Sequence, residues 1–433
     1  MTSASPLVIG QYELHGVMSS GGMATVHFGR LVGPVGFSRT VAIKRLHPHF
    51  AKEPAFVSMF VDEARLVSRI SHPNVIPTLD VVSTGGELFI VMDYVHGESL
   101  SKLLSTVRAK KAKVSPHIVS AIMGGVLRGL HAAHEASDRK RGPLNIVHRD
   151  ISPQNVLVGV DGSPRVLDFG VAKALDRLQE LTREGQLKGK LAYMAPEQFN
   201  GGKVTRAIDI FAASVVLWEA LTARRLFAAE KQADIVMKII EGVVPPPSQY
   251  MTDMSKTVGA DAYRLLEALD RIVLRGLEKD PANRFATARE MAQALEWAIT
   301  PAAPSEVTEW VELYAHDALA ARSEALGKLA ADSQSHTLAA PIAVAEIAST
   351  GPISAGADAR ASRSPMSEES RRRSARTANS RDSSSSSSSL SVSGQRRMRK
   401  AKLSNAVIAF IIVAVAAIAV SAVLSAYTLL RQR

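Results

Sequence analysis

Asp150 and Asn155 stand five residues apart in His148-Arg149-Asp150-Ile151-Ser152-Pro153-Gln154-Asn155. A second acid, Asp168, follows in Val166-Leu167-Asp168-Phe169-Gly170. One carboxylate can accept a hydroxyl proton, while the other acid and the amide are hard oxygen donors that suit magnesium. Val156-Leu157-Val158 and Val166-Leu167 read as short strands around a turn at Asp161-Gly162, so adjacent hairpin segments would carry all three groups. On residue type alone, two of the three could equally be turn caps.

A cation to match these acids is available upstream. Val41-Ala42-Ile43-Lys44 is an apolar strand closed by a lysine, and Glu63 follows in a helical pattern with Phe60, Ala64 and Val67. A carboxylate there can pair with Lys44 and aim its ammonium at phosphate oxygens. Taken singly, each reads as surface charge, and a lysine ending a strand commonly snorkels. Ser19-Ser20-Gly21-Gly22-Met23-Ala24-Thr25-Val26 lies between strand-like stretches at 12–14 and 25–28. Small residues let backbone amides approach phosphates closely. Strand–turn–strand argues against a Rossmann loop, which opens a helix. It leaves a flap over a nucleotide or a plain hairpin. Ala195-Pro196-Glu197 and the distant Arg284 offer a Glu–Arg pair that would brace a larger lobe.

The ordered series resembles the protein-kinase signature set: Gly-rich loop, VAIK lysine, helix glutamate, HRD loop, DFG and APE. Through Gly21-Gly22-Met23-Ala24-Thr25-Val26 and His148–Asn155 it is most similar to the eukaryotic-type serine/threonine kinases of bacteria. The resemblance spans roughly residues 10–300, about two-thirds of the chain. It implies an α+β, bilobal protein-kinase fold with a β-rich N-lobe over about 12–92 and a helical C-lobe over about 96–300. The implied cofactors are ATP and Mg2+. Lys44 would hold the phosphates and pair with Glu63, Asp150 would be the catalytic base, and Asn155 and Asp168 the metal ligands. Met18, Ser19, Ser20, Gly21, Gly22, Met23, Ala24, Thr25 and Val26 would cover the nucleotide. Met92 matches the gatekeeper, and Asp93–Val95 the adenine hinge. Val26, Ala42 and Leu157 would sandwich the ring. Arg149 would receive an activation-loop phosphate, with Thr182 as the phosphosite. Asp209 resembles the acid that bonds the HRD backbone. The acceptor implied is serine or threonine, with autophosphorylation.

Several residues depart from the pattern. Ser19 and Ala24 replace two glycines of the loop, which predicts weaker ATP affinity without its loss. Ser214 replaces a glycine after Asp209 and reads as neutral. Ser152 stands where the family places a lysine on the γ-phosphate, and Lys190 stands where threonine is usual. Lys190 is therefore expected to reach into the space Ser152 vacates; otherwise it points to solvent and Ser152 weakens catalysis. A catalytically silent scaffold at the membrane is the alternative function.

These groups sit in a chain of 433 residues with net charge +11, 46% apolar residues and no cysteine. The composition excludes disorder throughout, and the missing thiols exclude disulfide scaffolds, zinc fingers and cysteine nucleophiles. Residues 332–433 hold 14 Lys/Arg and 6 Asp/Glu, so the basic excess belongs mainly to the tail and no nucleic-acid partner is expected. Residues 1–11 read as an N-terminal tail without a secretory leader. Residues 306–331 read as an amphipathic helix, with Val307, Trp310, Val311 and Tyr314 on one face, packing on the preceding domain or offering itself to a partner. Residues 332–402, with seven serines at 383–389, read as a disordered linker. Within 403–430, the 25 residues 406–430 lack any Asp, Glu, Lys, Arg or His, and thirteen are Val, Ile, Leu or Phe. Such a helix spans a bilayer core, with insertion favoured by about 4–8 kcal/mol. Arg396, Arg397, Arg399, Lys400 and Lys402 precede it, which predicts a single-pass cell-membrane (inner-membrane) anchor, a cytoplasmic kinase domain and an extracytoplasmic tail at 431–433. Protein substrates and membrane lipid are the expected partners, and a kinase-domain dimer is left open.

Overall fold

Side chains along Val41–Ile43 and Leu88–Val91 alternate between two apolar layers, as a strand's period of two requires. Val41, Ile43, Phe89 and Val91 pack with Ile9, Tyr12 and Leu14 on one face. Leu88, Ile90 and Leu46 pack with Ala24, Phe50, Phe60 and Ala64 on the other. The structure, a computed structural model, describes residues 6–34, 37–138, 142–169, 186–251 and 260–337. All of them fall within one compact unit, 1–346.

The first six strands are β1 (Leu7–Ile9), β2 (Tyr12–Ser20), β3 (Ala24–Val32), β4 (Ser38–Leu46), β5 (Thr78–Thr84) and β6 (Glu87–Asp93). They form one antiparallel sheet in the order β1-β2-β3-β4-β6-β5. Residues 7–9 are thus not a tail. Leu7 pairs with Leu14 and Ile9 with Tyr12, and Ile9 is buried in the sheet's core. Two helices, α1 (Pro48–Ala51) and α2 (Pro54–Val67), follow β4, each opened by a proline that suits a first helical turn. Met59, Phe60, Ala64 and Val67 give α2 its buried stripe.

The chain then enters a helical lobe through β7 (Gly97–Ser99), α3 (Leu100–Ala109) and α4 (Pro116–His134). A small hairpin, β8 (Ser137–Asp138) and β9 (Gly142–Pro143), precedes β10 (Val156–Gly159) and β11 (Pro164–Val166). The last two join β7 in the order β11-β10-β7. Then come α5 (Gln186–Leu191), α6 (Pro196–Phe199), α7 (Ala207–Thr222), α8 (Gln232–Ile240), α9 (Ala260–Gly276) and α10 (Ala288–Ala298). Every residue from Ile208 to Thr222 is buried, so α7 is the lobe's central post, enclosed all round and largely apolar. Ser214 is buried there and donates to the Ile210 carbonyl at 2.7 Å. Gly276 of α9 faces it so closely that a Cβ would lie 1.9 Å from the hydroxyl oxygen. The serine at 214 is accommodated by a glycine opposite.

The final helix, α11 (Pro304–Thr337), is longer at both ends than the sequence pattern suggested and takes in the first residues assigned to the linker. It packs on the helical lobe: Val307 and Val311 are fully buried, with Trp310, Ala315 and Leu319 nearly so. The remaining linker, Thr182 and the apolar run 403–430 lie outside the described residues. Among the described residues no helix is long and apolar enough to cross a membrane.

Glu197 and Arg284 meet as expected. Arg284 Nη1 and Nη2 donate to the two carboxylate oxygens at 2.7 and 2.8 Å, and its other donors reach the carbonyls of Ala207, Glu278 and Lys279. The guanidinium is fully buried and lies 5.0 Å from the Phe211 ring centre. Arg284→Met is expected to lower unfolding free energy by about 3–5 kcal/mol, because it strands a largely buried carboxylate. Urea denaturation measures this; a loss below about 1 kcal/mol would mean that the pair does not brace the lobe.

Candidate active site

Lys44 reaches the cleft because β4 pairs it between Val26 of β3 and Ile90 of β6, in the middle of the sheet. Its Nζ donates to Asp168 Oδ1 at 2.7 Å and to Glu63 Oε1 of α2 at 3.4 Å. Burial alone would lower the lysine's pKa, but the two carboxylates outweigh it and hold the ammonium well above its ordinary value. One cation thus joins the sheet, α2 and the segment after β11.

Asp150 precedes a short 3-10 turn, Pro153–Asn155, in the loop leading to β10. Asn155 Nδ2 donates to the Asp150 carbonyl at 2.7 Å and to its Oδ2 at 3.0 Å. The amide nitrogen is therefore committed to the loop, and the amide oxygen is the atom suited to a cation. Asp168, at φ +46°, has a side chain two-fifths exposed. Asn155 and Asp168 together supply hard oxygen donors and fit magnesium, with phosphate and water completing its shell. Among the described residues no cluster of three or more His, Asp or Glu is placed to hold a metal by protein ligands alone.

His148 connects these segments. The Asp150 N–H donates to His148 Nδ1 at 3.2 Å, so Nδ1 is the acceptor and Nε2–H donates to the Leu167 carbonyl at 2.8 Å. That is a neutral tautomer, and burial keeps it so by lowering the ring's pKa against the pull of Asp209. Phe169 packs on the ring at 4.5 Å. Asp209, on α7 and 1% exposed, accepts from the N–H groups of His148 and Arg149 at 2.7 and 2.8 Å. His134 of α4 lies 2.8 Å from the same carboxylate. It was not anticipated; a histidine ending an apolar helix carries no local sign of a buried partner.

The loop 19–26 is the tip of the β2–β3 hairpin, closed by Gly21 N–H to the Ala24 carbonyl at 2.9 Å. Ser19, Ser20, Gly21 and Gly22 are exposed, while Ala24 is buried in the core with Leu46 and Phe60. Thr25 Oγ1 lies 3.0 Å from His47 Nε2, and His47 N–H donates to the Met23 carbonyl, tying the loop to α1. Met18, Val26, Met92, Val95 and Leu157 are half-buried and Ala42 is buried. Met92, Thr78 and Phe169 line a cleft that runs in to Lys44 and Glu63. Asp93 turns its side chain to Arg39 of β4.

Ser152 is buried, and its carbonyl accepts the Asn155 N–H at 3.0 Å. Lys190 Nζ lies 3.4 Å from Asp150 Oδ2, with its side chain 42% exposed. The contact observed is with the acid, at the end of α5.

The pairing of Lys44 with both acids beside an Asp–Asn loop agrees with what sequence comparison finds: residues 12–297 match the protein kinase domain description. The chain belongs to the protein kinase domain family. It is 40% identical over 287 residues to the tyrosine-protein kinase MasK of Myxococcus xanthus, covering 66% of this chain and 43% of that protein. It is 31% identical over 284 residues to the serine/threonine-protein kinase PrkC of Bacillus subtilis, covering 66% of this chain and 40% of that protein. The chain thus spans about two-fifths of the length of these curated relatives. A crystal structure of the PknI kinase domain of M. tuberculosis shares the fold, with TM-score 0.50, 23% identity and coverage of 69% of this chain and 99% of that one. Protein kinases use ATP and Mg2+ and act on protein substrates. The two relatives are named for different acceptors, tyrosine in one and serine or threonine in the other.

Proposed function

We propose that this chain is a membrane-anchored protein kinase that transfers the γ-phosphoryl group of Mg-ATP to serine or threonine hydroxyls of proteins, including its own Thr182. The observation that supports this best is Lys44 bonded at once to Asp168 and Glu63. The Lys44–Glu63 pair must be in place for phosphoryl transfer, and the bond to Asp168 keeps the second acid at the same point of the cleft; positioning and electrostatic stabilisation supply nearly all of the catalysis.

In this reading Lys44 holds the nucleotide's phosphates while Glu63 fixes the lysine's direction. The acceptor hydroxyl oxygen forms a bond to the γ-phosphorus, and the bond from that phosphorus to the β-bridging oxygen breaks, so ADP leaves with the electron pair. Asp150 orients the hydroxyl and takes its proton. Magnesium, when bound, neutralises charge on the phosphates and would be held by Asn155 and Asp168. Lys190 supplies the positive charge near Asp150 that Ser152 cannot. Loop residues Met18–Val26 cover the phosphates, and the hinge Asp93–Val95 receives the adenine. Tyrosine is the second reading for the acceptor, favoured by the name of the 40% identical relative.

Full-length protein with labelled ATP and magnesium should incorporate phosphate on serine and threonine, and mass spectrometry should find Thr182 modified. Asp150→Ala should lose about 10²–10⁴-fold in rate with nucleotide binding nearly intact. Phosphotyrosine alone would move the assignment to the second reading. No incorporation by the wild type, with nucleotide still bound, would leave a silent scaffold.

The transplanted lysine has its own test. Lys190→Thr should cost at least about tenfold in rate, or about 1.4 kcal/mol. Adding Ser152→Lys should recover much of that loss, giving a coupling above the additivity error of about 0.5 kcal/mol. Additive effects would return Lys190 to the surface charges.

The anchor rests on the uncharged run 406–430 and the basic cluster before it. Full-length protein should stay with the membrane pellet through alkaline carbonate extraction, and deletion of 403–433 should release it. A deleted form that remains in the pellet would place membrane association elsewhere.

A further inference from the structure

The family match ends at residue 297, yet α11, which begins at Pro304, reaches the segment that joins the two lobes. Arg322 of α11 donates to the Gly97 carbonyl and, at 2.9 Å, to Glu98 Oε2. Next to it, Ser323 Oγ lies 3.4 Å from His96 Nε2, and His96 Nδ1 is 3.1 Å from the Tyr94 hydroxyl. Three consecutive residues after the hinge, 96 to 98, are therefore latched by a helix from outside the family match.

Glu98 is only 3% exposed, so its charge needs compensation. Its Oε1 accepts the Ser99 N–H at 2.7 Å. Lys102 stands 3.7 Å from Oε2, but its side chain is 69% exposed, whereas that of Arg322 is 19% exposed. Arg322 is thus the closer and better buried counter-charge. Its planar fork also suits one carbonyl and one carboxylate together, which an ammonium cannot match. In β7, Glu98 pairs with Val158 of β10, and Ser99 pairs with Leu157, the residue expected under the adenine. There is little slack: a Cβ on Gly97 would lie 2.3 Å from the Val158 carbonyl oxygen. A shift of Glu98 would move hinge and adenine floor together.

We propose that Arg322 is a positioning residue of the nucleotide site, holding Gly97 and Glu98 so that the hinge and Leu157 present a preformed adenine slot. This rests on the kinase reading of the cleft. The first turn of α11 supplies the control, because Glu306 Oε2 accepts the Ala303 N–H at 2.6 Å and so caps the helix, whereas Thr308 bonds Val160, whose N–H donates to the His96 carbonyl at 2.9 Å.

The test uses the full chain and a fluorescent ADP analogue, together with KM for ATP, kcat and melting temperature. Arg322→Ala should raise the nucleotide Kd and KM by about tenfold, with kcat at saturating ATP within about twofold. Arg322→Lys should recover part of the affinity. Glu306→Ala should leave Kd within about twofold even where it lowers the melting temperature. Unchanged nucleotide affinity in Arg322→Ala would overturn the proposal, as would Glu306→Ala weakening the nucleotide equally, which would make the effect general loosening of α11. A chain that binds nucleotide but transfers no phosphate would sink the kinase reading while leaving the Kd comparison decisive here.

Discussion

The active-site loop depends on one buried carboxylate. Asp209 is held in a helix with no solvent-facing side, and its two oxygens accept consecutive backbone N–H groups from His148 and Arg149. Arg149 sits at φ +66°, in the left-handed region, which costs a non-glycine residue about 1–3 kcal/mol. The two bonds offset that cost by fixing the peptide groups on either side of His148. Asp168 is also left-handed, and its neighbour Leu167 is fixed by His148 Nε2–H and by an N–H to the Asn155 carbonyl at 2.9 Å. Both acids therefore hang from the same buried chain of Asp209 and His148. A neutral His148 is part of this: a protonated ring could not accept the Asp150 N–H.

The two lysines of the cleft differ in kind. Lys44 is largely buried between two acids, its side chain 15% exposed, and partial desolvation strengthens their attraction. Lys190 touches Asp150 at the longer distance of 3.4 Å and keeps nearly half of its side chain in solvent. An ion pair of that type adds little to folding stability, typically about 0–1 kcal/mol. Whatever Lys190 contributes must therefore come when a nucleotide excludes water from it, since preorganised charge gains its value in a dry site. A contribution to catalysis with little to stability is the physical signature of its position.

What could be read from the residues follows the same logic. Lys44, Glu63, Asp150, Asn155 and Asp168 were legible because their residue types follow the order of the protein-kinase signature set, which the resemblance supplied. Glu197 and Arg284 were legible as an opposite-charge pair able to brace a lobe, and the helical stripes of α2 and α11 by period. Strand β1 was missed because three residues show no period, and its place depends on pairing with Leu14. His134 and Arg322 were missed because their partners lie 75 and 224 residues away, where no local pattern points. The glycine at 276 that admits Ser214 is of this sort too: compensation across two helices is visible only once they are packed.

The position of α11 matters because of how the lobes are joined. The sheet lobe ends at Asp93, and the chain crosses to the helical lobe just before β7. Elsewhere the lobes are tied by weaker means, among them the Val75–Val166 bridge, the Ile76 N–H to the Val166 carbonyl at 3.1 Å, and the Lys44–Asp168 pair. A nucleotide between the lobes must spend part of its binding energy on setting their approach unless the crossing is already set. A helix that grips the crossing from the helical side removes that freedom beforehand. It also carries the chain onward from the hinge toward the Ser- and Arg-rich tail, so the segment that orders the crossing is covalently continuous with the segment proposed to meet the membrane.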